Sequence, residues 1–280
     1  MIFVTGASGN VGSALVDYLR ARQIPLRLGS RSPMEPEAVA FNFLDATTFR
    51  SAVQGCNALF LLRPPAIANT RTTLNVLIDV ARSQGVQHIV FVSVAGAGDN
   101  PIVPHHAVEQ HLRQASEGWT ILRPGFFAQN LGDAYRQDIV QDDRIYLPAG
   151  AGRVAFVDTR DIAEVAANIL IAPTDHQAQI YTLTGAEALS FDQVASLLSN
   201  ELGRSITYDP ASIAAYGLHL LRCKMPLEQV IVQTILHVGL QFGQAETIDE
   251  TLPKLLRHRS RSLRDYIQDH RHLWQKPLNR

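Results

Sequence analysis

Thr5-Gly6-Ala7-Ser8-Gly9-Asn10-Val11-Gly12 is the stretch on which the reading of this 280-residue chain turns. It follows a short apolar run, Ile2–Thr5, that reads as a buried strand. It opens Val11–Arg22, where Val11, Leu15, Val16 and Leu19 mark one face of a helix. Glycines at the spacing G-x-x-G-x-x-G are weak evidence alone. Between a strand and a helix they have a physical purpose. Gly6 permits the tight turn, Gly9 lets the backbone approach a pyrophosphate, and Gly12 allows close packing at the start of the helix. The first N–H groups of a helix have no internal partner, and the helix dipole favours an anion there. Gly6, Ser8, Gly9, Asn10 and Val11 are therefore candidate contacts to a dinucleotide phosphate, with the Ser8 hydroxyl as an added donor.

Outward from this loop, short apolar strands alternate with helical stretches. Leu26–Gly29, Val39–Phe43, Ala58–Leu62, His88–Val92, a strand beginning at Thr120–Leu122, and Ile180–Thr184 read as strands. Asn75–Gln84, Val108–Ala115 and Thr159–Ile171 read as helices, and Ser190 with Gln193 has the form of a capping box. Continuous apolar strands joined by helical crossovers predict an α/β fold: a Rossmann doubly wound parallel sheet covered on both faces. Beyond residue 204 the chain turns mainly helical and more basic. The expected division is a dinucleotide-binding domain over 1–204 and a small, mainly helical substrate-side or lid region over 205–280, with a soft boundary.

Where NAD-binding units place an acid on the ribose hydroxyls, this chain has Gly29-Ser30-Arg31-Ser32. An acid would repel a 2′-phosphate, whereas a guanidinium offers it a fork of donors. Arg31 therefore favours NADPH over NADH; the alternative is an ordinary solvated arginine.

Composition narrows the remaining classes. Hydrophobic residues make up 46 % and charged residues 18 % of the chain, as expected of a packed core. A formal net charge of -1 gives no field for nucleic acid. Two distant cysteines, Cys56 and Cys223, argue against a disulfide framework. No apolar run is long enough to span a bilayer, and no basic leader precedes the first strand. A cytoplasmic protein without membrane association is expected. The ten histidines show neither zinc-site spacing nor a His-Glu-x-x-His signature, so no metal is expected. The run Arg257, His258, Arg259, Arg261, Arg264 is either a solvated surface or a patch for an acidic partner.

These residues resemble the NmrA-like branch of the atypical short-chain dehydrogenases/reductases, over nearly the whole chain. Ala58-Leu59-Phe60-Leu61-Leu62-Arg63-Pro64-Pro65 is similar to the family's fourth strand and following loop, which implies Leu62, Arg63 and Pro64 near the nicotinamide ribose. Phe91-Val92-Ser93-Val94-Ala95-Gly96 resembles the fifth strand, with Ser93 where dehydrogenases keep a serine. Trp119–Asn130 resembles the sixth strand and the nicotinamide-side loop. That implies Gly125 and Phe126 at the cofactor and Phe127 and Asn130 toward a substrate, although Phe126 and Phe127 also suit a core and Asn130 a helix cap. Phe156–Ala163 resembles a segment beside the cofactor, and Thr251–Trp274 the terminal helical region.

The Tyr-x-x-x-Lys pair of typical short-chain dehydrogenases is absent downstream of Ser93. His105-His106-Ala107-Val108-Glu109 occupies the stretch where related reductases keep a lysine, and the His-x-x-x-Glu spacing is similar to that of NmrA-like quinone reductases. His105 and Glu109 would share a helix face and could pair. With an unperturbed pKa near 6.5, His105 suits a proton donor or a ribose holder; the alternative is a helix-start histidine without chemistry. The resemblance implies an NADPH-dependent oxidoreductase reducing a small planar acceptor such as a quinone, with a homodimer as one form of assembly. The rival is a non-catalytic redox sensor that binds the dinucleotide and acts on a protein partner. An isomerase or ether reductase on a small aromatic metabolite is a third reading, weakened by the missing lysine.

Overall fold

The computed structural model describes residues 1–276. The strands are β1 (Ile2–Val4), β2 (Leu26–Ser30), β3 (Ala38–Ala40), β4 (Ala58–Leu62), β5 (His88–Val92), β6 (Trp119–Pro124), β7 (Arg144–Leu147), β8 (Arg153–Ala155), β9 (Gln179–Leu183), β10 (Ala188–Ser190) and β11 (Thr207–Pro210). The helices are α1 (Asn10–Ala21), α2 (Phe49–Val53), α3 (Leu74–Ser83), α4 (Pro104–Leu112), α5 (Arg136–Gln141), α6 (Thr159–Ile171), α7 (Phe191–Leu202), α8 (Ile213–Arg222), α9 (Leu227–Leu240), α10 (Thr251–Leu256) and α11 (Leu263–Asp269). No described helix is long and apolar enough to cross a membrane.

The chain forms two compact units that are interleaved in sequence. The first contains Met1–Pro124, Thr159–Leu183 and Thr251–His258. The second contains Gly125–Asp158, Thr184–Glu250 and the described residues from Arg259 onward. The sequence reading instead draws a single line at residue 204. The interleaving arises because the chain leaves the main sheet after β6 and returns to it: β9 pairs parallel to β6, with Arg123 opposite Thr182 and Pro124 opposite Leu183.

The first unit is the doubly wound α/β fold expected. Its seven-stranded sheet has the order β3-β2-β1-β4-β5-β6-β9, every pairing parallel. Helices α2, α3 and α4 bury Ala52, Leu74, Leu77, Ile78, Val108 and Leu112 with Phe3, Leu59, Leu61 and Phe91 of the strands. Helices α1 and α6 pack on each other and against the sheet. Strand order reverses between β1 and β4, so the loop after β1 lies at the switch point where open α/β sheets bind ligands.

Two elements differ from the sequence reading by more than one residue. The third strand ends at Ala40 rather than Phe43; Phe41 still donates its N–H to Ser30 O (2.9 Å), and its ring packs edge-on against Phe3 (5.2 Å) and Phe43 (4.8 Å). Helix α4 begins at Pro104, four residues before the periodicity starts; a proline with fixed φ initiates it. His105 thereby falls in its first turn.

The second unit gathers α5, α7, α8, α9 and α11 with the two-stranded pairs β10–β8 and β11–β7 around its own core, which includes Tyr135, Phe156, Phe191, Tyr216, Tyr266 and Trp274. Its α7 starts with the expected capping box: the Ser190 hydroxyl accepts from Gln193 N (3.3 Å), and Gln193 Oε1 accepts from Ser190 N (2.9 Å).

Candidate functional site

Thr5 fixes the start of the glycine loop. Its backbone N–H donates to Phe60 O (3.1 Å), and its hydroxyl donates to the same carbonyl (3.1 Å) while accepting from Leu62 N (2.9 Å). The loop and the end of β4 are thus one hydrogen-bonded piece. Gly6 adopts φ +65°, the left-handed region that favours glycine, and a Cβ there would lie 2.9 Å from Leu62 Cδ2. Gly9 caps α1 without a side-chain bond, and no acid occupies the first turn. The helix N-terminus therefore retains its positive end for a ligand anion.

Gly12 and Gly9 are glycines for different reasons. A Cβ on Gly12 would stand 2.0 Å from Gly6 O and 2.7 Å from Gly6 C, a backbone clash that no rotamer relieves. A Cβ on Gly9 would meet only Gly6 O, at 3.5 Å, so the folded chain tolerates one there. Gly12→Ala should lower stability by about 2 kcal/mol or more, as overpacking does, while Gly9→Ala should shift it by less than about 1 kcal/mol. Equal urea midpoints for the two variants would refute this division.

A cleft of about 260 Å³ opens beside the loop, lined among others by Ser8, Ser13, Ser30, Ser32, Arg20 and Glu35. Arg31 stands between two of its lining serines, at the end of β2, exposed and with no partner among the described residues. Arg20 of α1 pairs with both Glu35 and Glu37, which raises its already high pKa and ties the segment after β2 to the helix. The sequence reading missed this clamp, because a pair seventeen residues apart has no periodic signature. The cleft offers serine hydroxyls, with Arg31 beside it; of its two lining acids, Glu35 is neutralised by Arg20 and Asp17 is not paired with that arginine.

At the other strand ends the first unit holds a polar network. Arg63 turns into its own loop, Nη1 donating to the carbonyls of Pro64 (3.2 Å), Pro65 (3.2 Å) and Ile67 (2.6 Å). Its Nε donates to His105 Nε2 at 3.2 Å. Arg63 thus shapes the loop after β4 rather than presenting a free guanidinium. Because Nε2 accepts, the His105 proton resides on Nδ1, which is buried without a partner. Burial, and secondarily the Arg63 charge, pull the His105 pKa down to about 3, so the imidazole is neutral at physiological pH. Its predicted value near 6.5 assumed solvent; α4 starting at Pro104 instead presses the ring toward Phe91, 5.9 Å away.

Glu109 does not pair with His105. Fully buried, it accepts from the Ser93 hydroxyl (2.5 Å) and from Arg123 through Nε (3.0 Å) and Nη2 (2.5 Å). Arg123 went unread as a site residue. Its signal was a charge inside the otherwise apolar strand Trp119–Pro124, which cannot be buried without a counter-ion. Ser93 spends its proton on Glu109, which leaves its oxygen as an acceptor only.

Gly125, Phe126, Phe127 and Asn130 belong to the second unit. The Phe126 ring packs edge-on against Phe156 (5.7 Å) and His237 (6.2 Å). The backbone from Phe126 to Ala128 is fixed by Val157: Val157 N donates to Phe126 O and Ala128 N to Val157 O, both at 2.9 Å. Asn130 accepts at its carbonyl from Tyr135 N (3.1 Å). In the basic run, His258 binds Glu164, Arg259 binds Asp265 and Arg264 binds Glu201, so these three side chains meet acids within the chain. No group of three or more His, Cys, Asp or Glu among the described residues could hold a metal ion.

The NmrA-like family model matches residues 1–257. The chain is 28 % identical to the NAD(P)H azoreductase of Xenophilus azovorans over 282 residues, covering 96 % of this chain and 98 % of that protein. It is 26 % identical to quinone oxidoreductase 2 of Escherichia coli, covering 95 % and 97 %. The triphenylmethane reductase of Citrobacter sp., solved with NADP(H), superposes with a TM-score of 0.85 at 22 % identity, over 96 % of this chain and 99 % of that one, a likeness of fold. With the parallel sheet, the glycine loop at its switch point and a family match over more than nine-tenths of its length, this chain belongs to the NmrA-like family.

Proposed function

We propose that the chain is an NADPH-dependent reductase of a small planar, electron-poor acceptor, of which a quinone is the first to test. The observation that carries the reading is the cradle at the switch point. It combines an uncapped α1 N-terminus, Gly9 with room above it, and Arg31 unpaired beside a serine-lined cleft. Relatives named for NAD(P)H-dependent azo and quinone reduction, aligned over nearly the full chain, support the reaction class. When bound, the dinucleotide supplies the hydride.

The chain's own residues have the remaining tasks. Gly6, Ser8, Gly9, Asn10 and Val11 receive the pyrophosphate, and Arg31 the 2′-phosphate. Leu62 and Pro64 stand at the end of β4, where the loop braced by Arg63 continues. Gly125 and Phe126 serve the nicotinamide side, and Phe127 and Asn130 the acceptor side. Ser93 offers an acceptor oxygen. His105 acts as a neutral hydrogen-bond donor through Nδ1, holding a ribose or acceptor oxygen. A histidine with a pKa near 3 is a poor reservoir of protons at pH 7. Within the basic run, His258, Arg259 and Arg264 meet acids of the chain, which does not favour the regulatory rival.

The test is NADPH consumption by the purified protein against a panel of quinones, with NADH in parallel. Turnover is expected with NADPH, and Arg31→Ala should lower kcat/KM for NADPH by about 10- to 100-fold while sparing NADH, the range of a lost charged hydrogen bond. Gly9→Ala should fold normally yet lose dinucleotide affinity. His105→Ala should cost about tenfold in turnover, the worth of one neutral hydrogen bond. The wild-type kcat/KM should stay level from pH 8 to pH 6. A limb near 6.5 that disappears in His105→Ala would instead make this histidine the proton source, and absence of turnover in folded protein would remove the reductase reading.

A further inference from the structure

We infer that the cleft between the start of α3 and the outward side of α4 binds a phosphomonoester that also carries hydroxyls, a ligand of sugar-phosphate size, at a place separate from the dinucleotide cradle. The cleft lies wholly in the first unit and holds about 470 Å³, within the ~300–1,000 Å³ of small-molecule sites. Arg71, Asn75, His106, Gln110, His111 and Gln114 are among its lining residues.

Charge selects an anion. Arg71 is exposed and has no partner among the described residues. No Asp or Glu is among the residues that line the cleft. Asp79, outside that lining, is engaged by His111, whose Nε2 lies 2.7 Å from its Oδ1. The starts of α3 and α4 both border the cleft, tied together by the Thr70 hydroxyl donating to Pro104 O (3.0 Å). Neither helix has an acid in its first turn or a side-chain bond at its N-cap. Two positive helix ends and an unpaired guanidinium favour an anion, and the guanidinium fork matches the oxygens of a phosphate.

The neutral polar groups select the rest of the ligand. Asn75 is 9 % exposed, and its Nδ2 donates to Ala107 O (3.4 Å). That bond orients the carboxamide and leaves Oδ1 buried with no partner. A buried acceptor without a donor is costly, and a ligand that brings one removes the cost. A bare phosphate dianion offers acceptors only, whereas a hydroxyl carried beside the phosphate can donate. His106 gives its Nδ1 proton to Ala97 O (2.8 Å), so Nε2 of the neutral ring is a second acceptor. The carboxamides of Gln110, one turn further along α4, and of Gln114, just past its end, have no partner among the described residues and supply both donors and acceptors. No Phe, Tyr or Trp lines the cleft, so nothing there would stack on a nucleobase. His105 and Glu109, in contrast, are turned inward from the same helix.

The experiment is isothermal titration calorimetry on the full chain, with glucose 6-phosphate and ribose 5-phosphate as probes, glucose and inorganic phosphate as controls, and NADPH absent or present. At least one sugar phosphate should bind with a Kd below about 1 mM, and both controls about tenfold or more weakly than it. Arg71→Ala should weaken binding by about 10- to 100-fold, the range of a lost charged hydrogen bond, and Gln110→Ala/Gln114→Ala by about tenfold. These variants replace exposed side chains, so their melting temperatures should match wild type. Binding should persist in Arg31→Ala and with NADPH present. Absence of heat from both sugar phosphates up to ~10 mM would overturn the inference, as would binding indifferent to Arg71→Ala. Binding that is lost in Arg31→Ala or displaced by NADPH would place the probe in the dinucleotide cradle instead. Inorganic phosphate binding as tightly as the sugar phosphates would remove the hydroxyls from the recognition and overturn the ligand class.

Discussion

Between pH 7.5 and pH 5, the first unit should lose about 4 kcal/mol of stability and the second about 2 kcal/mol, from buried histidines alone. Burial holds His105 near a pKa of about 3 and His88 and His237 near about 4. In the unfolded chain each titrates near 6.5. Below that value the unfolded state binds a proton that the folded state refuses, so stability falls as pH falls. The contribution is complete above about 6.5 and is lost progressively toward the folded values. At pH 5, 1.5 units below the unfolded pKa, each histidine costs about 2 kcal/mol.

The structural reasons differ. In β5, His88 Nε2 meets the Thr120 hydroxyl at 2.9 Å; that hydroxyl donates to His176 O, which leaves Nε2 as the donor and Nδ1 buried as an acceptor without a partner. His105 lies against the positive Arg63. His237 receives the Tyr135 hydroxyl on Nε2 and gives its Nδ1 proton to Gln233 O at 2.7 Å, so protonation would set two donors against each other. Asp138, whose carboxyl burial lifts above the usual range, opposes the trend near the foot of the window, because its folded form takes up a proton earlier. Urea midpoints at pH 7.5, 6.5 and 5 should fall in that order, and His237→Gln should flatten the profile of the second unit by one histidine's share. Midpoints that stay level to pH 5 would mean that these rings are solvated. Against the 5–15 kcal/mol of a typical domain the effect is large.

The features legible in the sequence were those carried by local pattern. Thr5–Gly12 announced a strand, a turn and a helix start. The apolar runs at Ala58–Leu62 and His88–Val92 were read with the bounds they have in the sheet, and Ser190 with Gln193 gave a capping box from a four-residue signature. What escaped depends on neighbours distant in the chain. The ring of Phe41 packs against Phe3 of β1 and Phe43, contacts that a strand pattern does not announce. Strands β7, β8, β10 and β11 run three or four residues with mixed polarity, too short for alternation to register. Of the candidate site, the residue types around the loop and α4 could be named, but their pairings could not. Helical spacing suggested His105 with Glu109, whereas the loop after β4 supplies Arg63 to the one, and the residue after β5 and strand β6 supply Ser93 and Arg123 to the other. The periodicity of α9 predicts an amphipathic helix poorly, because both of its faces are apolar.

The pairing of Glu109 with Arg123 bears on fold and site together. Glu109 reaches from α4 to Ser93 just past β5 and to Arg123 near the end of β6, and so braces three elements at the carboxyl edge of the sheet, where ligands of this fold bind. Removing the carboxylate leaves Arg123, 19 % exposed at its side chain, without its counter-ion, and strands the Ser93 hydroxyl. Glu109→Ala should therefore cost about 3–5 kcal/mol, the range for breaking a buried pair, seen as a melting temperature lower by about 10 °C or more. Glu109→Gln keeps the shape and a hydrogen bond to Ser93 while losing the charge, and should fall between. The double replacement Glu109→Leu/Arg123→Met removes both charges and should recover most of the loss, because desolvating a buried pair offsets much of its attraction. The coupling between the two sites in that cycle should exceed about 2 kcal/mol. Dinucleotide affinity should separate from stability. The double variant, although stable, should still bind NADPH more weakly than wild type, because Ser93 and the strand ends would no longer be held in register for the ligand. A Glu109→Ala chain within 1 kcal/mol of wild type would show that Arg123 finds water instead. A double variant no more stable than Glu109→Ala would show that the carboxylate acts mainly through Ser93.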